Sequence, residues 1–159
     1  MANVEHLMIS QLAPLIRTGQ LSSVEVVEAL LRRIDALEAR LHAWVTIDRQ
    51  AVLAQARQRD EELRQSGPRG LLHGIPLGCK DILYTAGLKT TACSRMYTDF
   101  IPAYDATAVS HLKQAGAIIL GKTVCTEFAV NDPPPTCNAW NRVHTPGGSN
   151  RTRAYPIVP

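Results

Sequence analysis

DATAVSHLKQAGAIIL, residues Asp105–Leu120, changes character at its middle. Asp105 is read as a helix N-cap, because its short carboxylate accepts the N–H groups that open a helix, and an Ala-, Val- and Leu-containing stretch follows it. Gly116 stands where a helix relaxes into left-handed backbone, the position that favours a residue without a Cβ. Ala117-Ile118-Ile119-Leu120 is short and apolar and reads as a buried strand. A helix running directly into an apolar strand predicts an α/β arrangement.

Upstream, Leu71–Leu72 and Ile75–Cys79 are further short apolar runs punctuated by Gly and Pro, and the second ends in Lys80-Asp81. A lysine that closes an apolar run either carries its charge to solvent or has its pKa lowered by burial. It can serve as a base or pair with a nearby carboxylate, and this segment alone leaves both roles open. Downstream, Gly116 and Gly121-Lys122-Thr123 satisfy G-x4-G-K-T formally. A phosphate cradle, however, is a flexible glycine-rich turn, and Ala-Ile-Ile-Leu is strand-like, so the pattern argues against nucleotide binding. Thr145-Pro146-Gly147-Gly148-Ser149 places a serine after two permissive glycines, as a plain loop or a site would.

The first third is predicted to be helical. Ser22 and Glu25 form a capping box, and Val27, Leu30, Leu31, Ile34, Leu37 and Leu41 give one apolar stripe along a helix from about 23 to 40. A second helix is expected over 49–65, ending at Ser66-Gly67-Pro68. From Asn131 to Pro159 repeated Pro and Gly suppress regular structure, and so long a stretch without an element often signals function or disorder.

At 159 residues the chain has room for one domain, and 45% hydrophobic with 19% charged residues excludes a disordered polar chain, a collagen-like repeat and a coiled coil. No apolar run reaches the roughly 18 residues that span a bilayer, and no basic segment with an apolar core opens the chain, so no membrane role and a cytoplasmic location are expected. The net charge is +3, of which Arg151 and Arg153 in the last ten residues supply two. The densest basic cluster, Arg32, Arg33 and Arg40, is interleaved with Asp35 and Glu38, a solvated helix face that argues against nucleic-acid binding. Cys79, Cys93, Cys125 and Cys137 show no CxxC spacing, and the five histidines are scattered. Reduced thiols in or near the core are expected, with no metal and no cofactor.

Taken in order, HGIPLGCKD (73–81), TAGLKTTACS (85–94), DATAVSHLKQAGAIILGKTVCTEFA (105–129), NAWN (138–141) and TPGGS (145–149) resemble the amidase signature family of amide hydrolases. The likeness covers nearly half of the chain. It implies an α/β/α sandwich with a mixed central sheet, of which this chain holds the N-terminal part behind its helices, and a Ser–cis-Ser–Lys triad. By that resemblance Lys80 is the proton-accepting base. Ser149 is the bridging serine, with a cis peptide bond before it and Gly147 and Gly148 forming the turn. The substrate implied is a small-molecule amide, hydrolysed at its C–N bond through a serine acyl-enzyme.

The resemblance stops after Ser149. The family supplies its nucleophilic serine a couple of dozen residues later, and this sequence reads Asn150-Arg151-Thr152-Arg153-Ala154-Tyr155-Pro156-Ile157-Val158-Pro159 instead. None of Ser10, Ser22, Ser23, Ser66, Ser94 or Ser110 occupies a matching position. Smaller departures are Cys79 for an aliphatic residue, Cys93 for glycine and Ala139 for proline. The expectation is an incomplete amidase domain over 1–149 (helical 1–66, α/β 70–149) with an unrelated tail over 150–159, truncated before the nucleophile and inactive alone. An interrupted sheet leaves edges unpaired, so oligomerisation or aggregation is expected. Two alternatives are an ammonia-generating subunit of a tRNA-dependent amidotransferase and a non-catalytic binding remnant. The first lacks, in AVNDPPPTCNAWN, the serine- and glycine-rich segment associated with it.

Overall fold

The computed structural model describes residues 4–130 and 135–149. Helix α1 (Ile9–Arg17) buries Leu12 and Ile16 and ends at Thr18, followed by Gly19 in left-handed backbone. Helix α2 (Ser23–Leu41) opens on the expected capping box: the Glu25 N–H donates to Ser22 Oγ at 3.1 Å, and the Ser22 N–H donates to Glu25 Oε2 at 2.8 Å. The Ser22 N–H foremost, and the Ser22 hydroxyl that donates to the same oxygen at 2.7 Å, hold the Glu25 carboxyl below the usual carboxylate range. Helix α3 (Arg49–Ser66) is capped by Asp48 and stops at Gly67. Its Asp60 carboxylate accepts the N–H groups of Ser23 and Val24 at 2.7 and 3.2 Å, so one helix supplies partners for the open end of another.

Between α2 and α3 lies a strand that the helical reading of 1–66 missed. His42 ends α2 at φ 51°, and the chain turns into β1 (Trp44–Thr46). Three residues are too short for a period of two to register in sequence. Strand β2 (Pro76–Lys80) and strand β3 (Ile118–Thr123) follow, the latter after helix α4 (Thr107–Gln114). The sheet order is β1-β3-β2, with β3 antiparallel to β1 and parallel to β2, the mixed sheet expected.

Every position of β3 is buried, and alternation divides its side chains between two faces. Ile118 and Leu120 pack against Val27, Leu31 and Ile34 of α2 and Val52 and Ala56 of α3. Ile119 turns the other way, onto Cys79 and Val109 of α4. Helices therefore cover both faces of the sheet.

Gly121-Lys122-Thr123 lies inside β3, so the formal phosphate-loop pattern is a buried strand. A Cβ on Gly121 would meet the Thr46 carbonyl oxygen at 2.5 Å; close strand approach is what demands glycine there. Gly116 has φ +93° and faces His73 Cα, 2.7 Å from where its Cβ would be. Asp105 does not cap α4 as expected. Ala106 is the N-cap residue, and the Asp105 carboxylate accepts instead from the Ala86 N–H and from Lys113 Nζ, each at 2.8 Å. A charged partner eight residues on is the stronger competitor for that carboxylate. Asn131–Pro134 and the tail over 150–159 lie outside the described residues.

Candidate active site

Lys80 is the last residue of β2, opposite Thr123 of β3, and the residue after it anchors the site. Asp81 is fully buried. Its N–H donates to the Thr123 carbonyl at 3.0 Å and its own carbonyl accepts from the Ala92 N–H at 3.1 Å. Its carboxylate takes the Thr91 N–H and the Cys93 N–H at 3.1 Å each and the Thr91 hydroxyl at 2.5 Å. A buried carboxylate is tolerated when its oxygens are filled in this way. The loop it holds is strained: Ala92 and Cys93 have φ 51° and 52°, left-handed values that L residues rarely adopt.

Ser149 arrives by a separate route. The Thr136 hydroxyl donates to the His42 carbonyl at 2.6 Å and the Cys137 N–H to the Leu41 carbonyl at 3.3 Å, which fastens this segment to the end of α2. Asn138 Oδ1 then accepts from the Trp140 N–H at 2.9 Å and the Asn141 N–H at 3.3 Å, turning the chain. Gly147 and Gly148 follow at φ 75° and 66°, and the Ser149 carbonyl accepts from the Thr126 N–H at 3.4 Å. Among the described residues nothing lies within 4 Å of a Cβ built on either glycine, and their positive φ values are what call for glycine.

These two routes bring together residues 69 positions apart: Lys80 Nζ donates to Ser149 Oγ at 2.8 Å. Lys80 is half-buried and Ser149 exposed, so the pair opens to solvent. The described residues contain no cis peptide bond, and the bond before Ser149 is therefore trans, unlike the expectation. A cis bond not preceding proline costs about 2.5–4 kcal/mol and needs surroundings that enforce it.

Sequence reasoning passed over three residues near this pair. Asp81 was visible as an acid directly after the lysine. Thr126 is 3% exposed, and its hydroxyl has no hydrogen-bond partner among the described residues, beside the backbone that holds Ser149. Lys122 is fully buried. Its Nζ donates to the Leu83 carbonyl and to Thr85 Oγ1, the latter at 3.1 Å. Burial pushes its pKa down, and the nearby Asp81 charge opposes that. Only its place in an all-buried strand distinguishes it from a surface lysine.

A wide apolar cleft of about 990 Å³ lies elsewhere, between the N-terminal segment and the sheet; Leu12, Leu30, Leu77 and Leu120 line it, and neither Lys80 nor Ser149 does. Among the described residues no group of three or more His, Cys, Asp or Glu side chains could hold a metal ion, and no helix is long and apolar enough to cross a membrane.

The amidase family model matches residues 25–150. The chain is 42% identical, over 99% of its length, to a glutamyl-tRNA(Gln) amidotransferase subunit from Roseiflexus castenholzii, and covers 33% of that protein. It is 40% identical, over 95% of its length, to a putative amidase of Mycobacterium tuberculosis, covering 34% of it. Its fold matches the native peptide amidase from Stenotrophomonas maltophilia with a TM-score of 0.86 at 35% identity, over 94% of this chain and 33% of that one. The chain thus spans about a third of the length of the relatives it matches.

Proposed function

The chain belongs to the amidase family, and we propose that it carries two of the three catalytic side chains of an amide hydrolase, Lys80 as base and Ser149 as proton relay. The observation behind this reading is the 2.8 Å hydrogen bond between them. In the proposed reaction the Lys80 amine takes the Ser149 proton as Ser149 takes the proton of a nucleophilic serine. That serine attacks the amide carbonyl, ammonia or an amine departs, and water releases the acyl group. Gly147 and Gly148 form the turn that presents Ser149.

No serine of these 159 residues matches the family's nucleophile, so in this reading the nucleophile comes from sequence outside them and the chain alone does not turn over amides. Assay of the purified chain with simple aliphatic and aromatic amides tests this. No release of ammonia or amine is expected, whereas turnover that Lys80→Ala abolishes would overturn the inactivity. A small-molecule amide substrate and a cytosolic setting belong to the same reading.

The likeness to an amidotransferase subunit supports a second reading, an ammonia-generating component of tRNA-dependent amidation. The 40% identity to a putative amidase supports the first almost equally. Glutamine-dependent ammonia release by a chain completed with amidotransferase sequence, together with co-purification of partner subunits, distinguishes the second.

A further inference from the structure

Cys93 and Cys125 are 32 residues apart in sequence, yet their sulfurs lie 3.6 Å from each other. The Cys125 N–H also donates to Cys93 Sγ at 3.2 Å, so one cysteine's sulfur is docked on the other's backbone. Cys93 is fixed by the loop that Asp81 holds, with its N–H on the Asp81 carboxylate and its sulfur 3.8 Å from the same oxygen. Cys125 is fully buried two residues after the end of β3 and one residue before Thr126, whose N–H holds the Ser149 carbonyl. Cys93 is half-buried, which gives a small solute a way in. A disulfide needs sulfurs about 2.05 Å apart, so closing this pair takes a movement of about 1.6 Å.

We infer that Cys93 and Cys125 form a reversible oxidation site, a dithiol that hydrogen peroxide closes to an intramolecular disulfide. The bond joins the loop beneath Lys80 to the segment that holds Ser149. The chemistry needs one ready thiolate and one thiol that keeps its proton. The 3.6 Å contact lets the two sulfurs share one proton, so loss of the other proton leaves a thiolate beside a thiol, with the half-buried Cys93 as the side that peroxide reaches.

The thiolate attacks one peroxide oxygen; an S–O bond forms, the O–O bond breaks and hydroxide leaves. That hydroxide takes the proton of the second thiol and becomes water. The second thiolate attacks the oxidised sulfur, the S–S bond forms, the S–O bond breaks and a second hydroxide departs. Two electrons pass from the two sulfurs to the peroxide.

The test treats the purified chain with hydrogen peroxide, denatures it, alkylates it with iodoacetamide and maps the peptides. Trypsin alone leaves Cys125 and Cys137 together on residues 123–142, so Glu-C cleavage after Glu127 is added to separate them. The untreated chain alkylates at all four cysteines. After peroxide, alkylation is expected only at Cys79 and Cys137, with a Cys93–Cys125 cross-linked peptide within the monomer mass that a reducing agent reverses. Cys93→Ser and Cys125→Ser should each keep their remaining three thiols alkylatable. Four alkylated cysteines after peroxide, a cross-link that includes Cys79 or Cys137, an intermolecular cross-link, or sulfinic acid at Cys93 or Cys125 would overturn the inference. The readout requires no amide turnover and stands apart from the proposed activity.

Discussion

The Asp81 carboxylate accepts the Cys93 N–H at 3.1 Å, across twelve positions of sequence, and it accepts the Thr91 N–H and hydroxyl as well. One buried acid thereby fixes the loop beside Lys80. Asp81→Ala leaves the Thr91 N–H and hydroxyl without that acceptor, while the Cys93 N–H keeps Thr91 Oγ1 at 3.0 Å, and each buried group left unsatisfied costs about 1–3 kcal/mol. We expect a loss of about 3 kcal/mol or more in denaturant unfolding, with Thr91→Ala losing less because the Thr91 N–H remains bonded. Equal, small losses for the two variants would contradict this role.

Gly121→Ala forces a methyl against the Thr46 carbonyl where β1 meets β3. Overpacking of this kind typically costs about 1–3 kcal/mol, and the denaturation midpoint should fall accordingly. Val143→Ala, at a side chain 90% exposed, should stay within about 0.5 kcal/mol of the parent. A Gly121→Ala midpoint matching that of Val143→Ala would show that the strands do not approach as described.

Asp105 gives a pH signature. Burial acts to raise its carboxyl, but Lys113 and the Ala86 N–H outweigh burial and hold it below the ordinary value of 3.8. A carboxyl depressed on folding contributes stability that is complete above its unfolded value and is lost as pH falls through the folded one. The stability difference between the parent and Asp105→Asn should therefore be constant above about pH 4 and shrink below it. A difference that grows on acidification would reverse the sign.

The described residues leave β1 and β2 as sheet edges, and Trp140, Val130 and Met96 are 63%, 70% and 84% exposed. Unpaired edges and exposed apolar side chains both favour self-association. Sedimentation or light scattering of the purified chain should show oligomers; a monodisperse monomer with a sharp melt would contradict this.

Much of this architecture was legible because its signals are local. The Ser22–Glu25 box, the stripe from Val27 to Leu41, and the passage from α4 through Gly116 into β3 each announce themselves within a few residues. The Lys80–Ser149 meeting was legible only through a resemblance of ordered motifs, since neither segment alone distinguishes a site from a loop. What stayed hidden depends on contacts made across the sheet. β1 exists because β3 lies beside it, Asp105 turns from its cap to Lys113, and Cys93 and Cys125 meet only once Asp81 has folded the intervening loop.

Whether Lys80 and Ser149 work as base and relay is decided by a chimera. Residues 1–149 of this chain replace the matching third of the Stenotrophomonas maltophilia peptide amidase, whose own sequence then supplies the remainder. The chimera is expected to hydrolyse a peptide amide. Lys80→Ala and Ser149→Ala should each lower kcat by about 100-fold or more without loss of folding, the usual scale for a lost proton-transfer group. A folded, active chimera whose kcat is unchanged by either substitution would contradict these roles.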